Sequence, residues 1–238
     1  MASSVNVCHD GRVIYELNHV GGRVQDLDAS LAFYSGIGAE VVDRLFMTGP
    51  RVHRVHIQLA TGLVELLHNE EADPDAAYGL NHVGFMTDDL DGDYARLIGA
   101  GYAELTSPRV AGSGQGRLAF LSDPNGVRVE LLQRSEEFRV PPITTGPVSR
   151  LSYIALDAPD LDAAVEFYGD HLGMERVPSD EADAAYFRIG ADAVKLCKSL
   201  PPANTLVSHL GLAVAEPRPD AHDPDGNRVV FVPSTSGQ

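Results

Sequence analysis

The chain of 238 residues has only two cysteines, Cys8 and Cys197, set far apart. Such a pair cannot build the disulfide framework of a small secreted protein, so a reducing cytoplasm is the expected compartment. Basic residues are scarce as well: 18 Lys and Arg stand against 34 Asp and Glu, a formal charge of −16. That field repels phosphate backbones and anionic membranes, and no Lys/Arg cluster interleaved with aromatics reverses it locally. Nucleic acid and membrane are therefore excluded as expected partners, and the acidity is read as a solvated surface. Long apolar runs are missing too. No stretch approaches the ~18 residues of a membrane span, and residues 1–11 lack the basic start and apolar centre of a secretory signal. What is present is an ordinary apolar fraction of 44%, enough to pack one large or two modest domains.

The chain repeats itself. Leu17-Asn18-His19-Val20-Gly21 returns as Leu80-Asn81-His82-Val83-Gly84, and Asp26-Leu27-Asp28 returns at the same offset as Asp89-Leu90-Asp91. A third copy carries Asp160-Leu161-Asp162-Ala163 and Phe167-Tyr168, matching Asp26-Leu27-Asp28-Ala29 and Phe33-Tyr34. A fourth is visible in Ser208-His209-Leu210-Gly211 and in residues 223–229, which echo 123–129. Each unit runs from a β-branched strand through an acidic helix start and an amphipathic stretch to further alternating strands, a βαβββ order. In the first unit the helix is expected over about 28–35, capped by Asp26 or Asp28 and ended by Gly36 and Gly38, with Phe33-Tyr34 in the core. The Pro-rich passage 140–147 reads as a linker. Too few residues separate His209 from Asp223 for a helix and two strands, so the fourth unit is expected to keep only its first and last strands.

His19 and His82 hold one equivalent position in the opening strands of units one and two, and Glu65 and Glu130 hold another in the closing strands. Pairing the units about a local two-fold gathers all four. The two-residue strand period puts Leu63, Glu65 and Leu67 on one face opposite Val64 and Leu66, and Arg128, Glu130 and Leu132 opposite Val129 and Leu131. A carboxylate thus lies among apolar residues twice, and burying one without a partner is costly. A divalent ion shared with two imidazoles satisfies both. A single buried histidine is more often structural, but four matched positions on a repeat point to a metal. The third and fourth units act as an internal control: Tyr153 replaces His19, Lys195 replaces Glu65, Val230 replaces Glu130, and His209 alone survives as a structural histidine.

On the βαβββ repeat, the Leu-Asn-His-Val-Gly strands, the Asp-Leu-Asp helix starts and the Asp-Pro-Asn-Gly-Val-Arg-Val-Glu-Leu-Leu of 123–132, nearly the whole chain resembles the vicinal oxygen chelate superfamily. That group contains glyoxalase I, methylmalonyl-CoA epimerase, extradiol dioxygenases and bleomycin- or fosfomycin-resistance proteins. The resemblance implies an α+β fold of tandem βαβββ modules forming cupped mixed sheets. Residues 14–136 form a metal-binding glyoxalase-like domain, 137–147 a linker, and 148–234 a degenerate, truncated copy without a metal. His19, Glu65, His82 and Glu130 are the implied ligands of a divalent ion (Mn, Fe, Co, Ni or Zn) in an eight-stranded sheet.

Two imidazoles and two carboxylates leave two adjacent positions on a six-coordinate ion for a substrate's paired oxygens. That suits enolate chemistry by an isomerase, epimerase or lyase on a small metabolite, with Glu130 or Glu65 as acid/base, in a monomer or homodimer. A methylmalonyl-CoA epimerase fits poorly, because residues 47–50 (Met-Thr-Gly-Pro) lack the further acidic residue that resemblance implies. Extradiol ring cleavage by Fe(II) is an alternative that the fourth ligand, Glu65, argues against. A resistance protein that binds a metabolite without turning it over is another. On the alternating strand 51–59, Arg54, His56 and Gln58 share a face opposite Val55, Ile57 and Leu59 and are expected to line the substrate cup. The Gly-rich segment 111–116 precedes a strand rather than a helix, so it reads as a flap or hairpin connection and not a phosphate loop.

Overall fold

A computed structural model describes residues 14–71, 73, 75–135, 141–143, 146–199 and 206–234. The leader 1–11, Cys8 and much of the expected linker lie outside the described residues. Unit one comprises β1 (Glu16–Arg23), α1 (Leu27–Gly36), β2 (Glu40–Met47), β3 (Val52–Leu59) and β4 (Gly62–Asn69). Unit two comprises β5 (Gly79–Met86), α2 (Leu90–Gly99), β6 (Ala103–Val110), β7 (Arg117–Ser122) and β8 (Arg128–Gln133). Both are βαβββ. They join in one 8-stranded mixed sheet of order β2-β3-β4-β1-β5-β8-β7-β6.

The repeated Asp-Leu-Asp motif has a capping role. Asp26, Asp89 and Asp160 each accept a hydrogen bond from the amide three residues on, at 3.0, 3.1 and 3.1 Å, while the second aspartate sits in the positive first turn. The cap of α1 is Asp26, and the helix runs one residue further at each end than expected. Tyr34, Phe167 and Tyr168 are fully buried and Phe33 packs against the core. Val55, Ile57, Leu59, Val64, Leu66, Val129 and Leu131 join them there, so the polar residues that alternate with them are turned to the other face of the sheet.

Unit three adds β9 (Val148–Asp157), α3 (Leu161–Val165) with a π-helical continuation over Glu166–His171, β10 (Glu175–Val177), β11 (Ala184–Ile189) and β12 (Asp192–Cys197). Unit four has β13 (Val207–Val214), β14 (Ala221–His222) and β15 (Arg228–Pro233), completing a 7-stranded sheet. It is one strand richer than expected. The Asp223-Pro224-Asp225-Gly226 turn reverses the chain tightly, so the two residues before it must lie beside β15, where Ala221 pairs with Val229 and His222 with Arg228.

The same turns join the two sheets. Tyr34 donates to Asp223 Oδ2 at 2.9 Å, and Tyr168 donates to Asp123 Oδ2 at 3.3 Å. Each helix tyrosine is thus bonded to a turn aspartate of the other half. Burial pushes the Asp123 carboxyl up to about 6, against amide hydrogen bonds from Val127 and Asn125 that work the other way. Because the unfolded carboxyl titrates near ~3.9, the native state holds this proton through a window where the unfolded chain has released it. That stabilises the fold on the acid side and is lost as pH rises from about 4 to about 6. Asp123→Asn is expected to flatten this part of the stability curve by on the order of 1–3 kcal/mol, read from urea unfolding at each pH. An unchanged slope would overturn the assignment.

Candidate metal centre

Strand register builds the centre. Gly21 on β1 is flanked by Glu65 on β4 and His82 on β5, and Gly84 on β5 is flanked by His19 on β1 and Glu130 on β8. The two halves are related by the antiparallel β1–β5 pair. Each glycine opens the space its neighbour's ring fills: a Cβ on Gly21 would lie 2.4 Å from His82 Cε1, and one on Gly84 would lie 2.5 Å from His19 Cε1.

His19 Nε2 lies 3.1 Å from His82 Nε2 and 3.1 Å from Glu130 Oε2, and His82 Nε2 lies 3.8 Å from that oxygen. All three residues are at most 4% exposed. Each Nδ1–H donates to the carboxamide oxygen of the preceding asparagine, His19 to Asn18 at 3.0 Å and His82 to Asn81 at 2.9 Å. That fixes the tautomer and leaves each Nε2 lone pair free. Burial, with His19 beside it, lowers the His82 pKa to about 4, so the ring is neutral at neutral pH. Two imidazole Nε2 atoms and a carboxylate oxygen therefore converge on one point, an arrangement that fits a cation. Among the described residues, His19, His82 and Glu130 are the group of His, Cys, Asp and Glu that could hold a metal ion.

Glu65 borders this triad. Its Oε1 is 3.7 Å from His82 Nε2, and its Oε2 accepts a 2.8 Å hydrogen bond from His56. Burial works to raise the Glu65 carboxyl, but the His56 hydrogen bond and the surrounding imidazoles outweigh it and hold the group below the ordinary glutamate range. Burial lowers the His56 pKa in turn.

Of the other expected cup residues, Arg54 donates to Asp43 Oδ2 and, at 3.5 Å, to Gln115. Gln58 spends its amide hydrogens on the carbonyls of Ala60 and Pro141, both at 2.9 Å. The 111–116 segment is a tight connection closed by Ala111 N–H to Gly116 O at 3.0 Å, and its Gln115 reaches across to Arg54 of unit one. Asn18, Asn81, Gly21 and Gly84 are site residues that the ligand positions alone do not reveal. Their signal lay in the repeat itself, where each histidine is preceded by Asn and followed two residues later by Gly.

The second sheet cannot assemble the same centre. Ala155 stands where Gly21 stands in the first, opposite Lys195 and His209. The Lys195 ammonium pairs with Glu181 at 2.8 Å and lies 5.0 Å from the Tyr186 ring centre. A resident cation thus sits in this sheet, and burial holds His209 neutral with a pKa of about 4.

Fold and site together define a class: paired βαβββ modules around a buried two-histidine, one-carboxylate centre with a second carboxylate beside it. Residues 16–131 match the Glyoxalase/Bleomycin resistance protein/Dioxygenase superfamily, and this part of the chain belongs to it. A probable chloroplastic lactoylglutathione lyase from Arabidopsis thaliana is 28% identical over 166 residues, 66% of this chain and 44% of that protein. A lactoylglutathione lyase from Schizosaccharomyces pombe is 27% identical over 195 residues, 71% of this chain and 62% of that protein. The chain therefore spans less than two thirds of the length of these relatives. In fold it is similar to the Mn(II)-bound glyoxalase from Novosphingobium aromaticivorans, with a TM-score of 0.72 and 17% identity over 92% of this chain and 82% of that one. The 2,3-dioxygenase LapB from Pseudomonas sp. KL28 gives a TM-score of 0.66 and 17% identity over 92% of each chain. Such coverage extends the fold likeness over both sheets. No described helix is long and apolar enough to cross a membrane.

Proposed function

We propose that the chain is a divalent-metal-dependent enzyme of glyoxalase type, moving a proton on a small oxygen-chelating metabolite in the cup of the first sheet. The observation that carries this reading is the convergence of two imidazole Nε2 atoms and Glu130 Oε2, with each Nδ1 turned to a neighbouring asparagine oxygen. A divalent ion held there would acidify a carbon beside a coordinated carbonyl and stabilise the resulting oxyanion. Glu65 faces the same space from beside the triad, which suits a base that lifts a proton and returns it, and His56 fixes the orientation of its carboxylate. Glu130 is the other carboxylate that could serve. The lyase names of the curated relatives support proton transfer. The reading includes a cytoplasmic protein, monomeric or homodimeric, with Mn, Fe, Co, Ni or Zn as the ion.

Purified protein is expected to hold one divalent ion per chain by elemental analysis, and His82→Ala to lose it. In deuterated water the wild type is expected to exchange a hydrogen next to the carbonyl of a chelating substrate. Glu65→Gln should slow that exchange by roughly 10²–10⁴ while keeping the metal. Protein that neither contains nor takes up a divalent ion would overturn the reading.

A second reading has its own observation. Two histidines and one carboxylate are the donor set of ferrous oxygenases, and Glu65, bonded to His56, stands outside that set. Oxygen uptake on catechols after anaerobic loading with Fe(II) would favour ring cleavage over proton transfer.

A further inference from the structure

The wall of the cup beside the triad carries two arginines that the proposed proton transfer does not use. Arg54 lies two residues before His56 on β3, and Arg134 is the first residue after β8, four beyond Glu130. By the two-residue strand period Arg54 faces the same side as His56, and Arg134 packs against the same β6–β7 connection that Arg54 reaches: a Cβ on Gly116 would lie 2.8 Å from Arg134 Cγ, and Arg54 donates to the neighbouring Gln115 at 3.5 Å. Arg54 is 4% exposed, and its Nε is buried with no hydrogen-bond partner. The Nε of Arg134 is likewise buried and unpartnered. Burial draws the Arg134 pKa below the ordinary guanidinium value; Glu130 and Glu65 oppose that, and Arg54 adds to it. Arg134 is therefore within electrostatic reach of the carboxylates of both units and of the other guanidinium.

Among the described residues one carboxylate, Asp43, is hydrogen-bonded to this pair, and it reaches Arg54 only. Buried donors left without acceptors are costly, and two neighbouring guanidiniums repel each other. One further oxyanion relieves both. We propose that Arg54 and Arg134 receive a carboxylate of the substrate a few atoms from its metal-chelating oxygens. The substrate class is then an anionic oxygen chelator, such as a 2-oxo acid with a second carboxylate. This rests on the metal reading above. A guanidinium presents a planar fork of donors that matches a carboxylate, whereas a lysine would offer a point charge. Asp43 orients the Arg54 fork, and Gln115 brings the β6–β7 connection over it.

The test compares 2-oxoglutarate with 2-oxovalerate, which share the 2-oxo acid head and a five-carbon chain and differ in the distal carboxylate. Titrated into the Mn(II)-loaded protein by calorimetry, 2-oxoglutarate is expected to bind at least about tenfold more tightly. Arg134→Gln is expected to bring the two to parity while Mn(II) uptake, measured separately by electron paramagnetic resonance, stays at the wild-type level. Arg134→Lys should restore part of the difference. Equal affinities in the wild type, or a difference that survives both Arg134→Gln and Arg54→Gln, would overturn the proposal. Failure of the metal reading shows differently: the wild type takes up no Mn(II), while metal-free protein still prefers 2-oxoglutarate in an Arg134-dependent way.

Discussion

Gly84→Ala is expected to empty the candidate metal centre as completely as removing His19, although it replaces no ligand. The added Cβ would lie 2.5, 2.7 and 3.1 Å from three atoms of the His19 ring. That ring is 2% exposed and has no space to retreat into, so it must leave the position that aims its Nε2 at His82 and Glu130. Metal affinity should fall by roughly a hundredfold or more, read by competition with a chromophoric chelator. Overpacking should also cost about 1–3 kcal/mol of stability. The decisive measurement is the double variant Gly84→Ala/His19→Ala. Removing the ring makes room for the methyl group, so most of the lost stability should return while the metal remains absent, a coupling of about 1–3 kcal/mol. Gly21→Ala should behave in the same way through His82. Gly22→Ala should not, because its Cβ would meet the backbone of Gly79 at 2.2 Å and would disturb the β1–β5 pairing itself. A Gly84→Ala protein that binds metal at wild-type affinity would show that the imidazoles are placed by something other than the glycines.

The ladder of glycines also explains why so much of this molecule was legible in its sequence. A duplicated strand with His at one position and Gly two residues on fixes both the ligand and the space for its partner, because sheet register places the copies opposite each other. The helices were equally legible, since each acidic cap precedes leucines that pack inward. Contacts that depend on how neighbouring strands are set against each other were harder to read. The His56–Glu65 bond follows from β3–β4 register, with Leu59 opposite Gly62 across a two-residue turn in which Ala60 takes φ 53°. Counting back from that turn puts His56 opposite Glu65, so the signal was present but needed the turn length. The approach of Arg134 to Arg54 joins the end of one unit to the third strand of another, and no local pattern encodes it. The strand at Ala221–His222 was too short to carry a period.

Among the described residues the second sheet gathers no such triad, yet Asp223→Ala, far in sequence from the candidate ligands, is expected to cost about 3–5 kcal/mol and to loosen the centre as well. Asp223 Oδ2 accepts from the Tyr34 hydroxyl at 2.9 Å and from Asn227 Nδ2 at 2.7 Å, and its Oδ1 accepts from the amides of Asn227 and Asp225 at 2.8 and 3.0 Å. Truncation leaves a fully buried tyrosine hydroxyl without an acceptor and frees the Asn227 side chain. That asparagine holds the Leu80 amide at 2.8 Å, two residues before His82 on β5. The turn of unit four is therefore a clamp on the strand that carries the candidate ligand His82, which gives the second sheet a physical task. Tyr34→Phe removes one of the donors and leaves Asp223 its others, so it should cost only about 1–2 kcal/mol. Urea unfolding gives the two stabilities. Amide hydrogen exchange at Leu80, faster in Asp223→Ala than in Tyr34→Phe at equal denaturant distance from the midpoint, separates local release of β5 from general weakening. If Asp223→Ala costs less than about 1 kcal/mol and leaves Leu80 protected, the clamp does not exist.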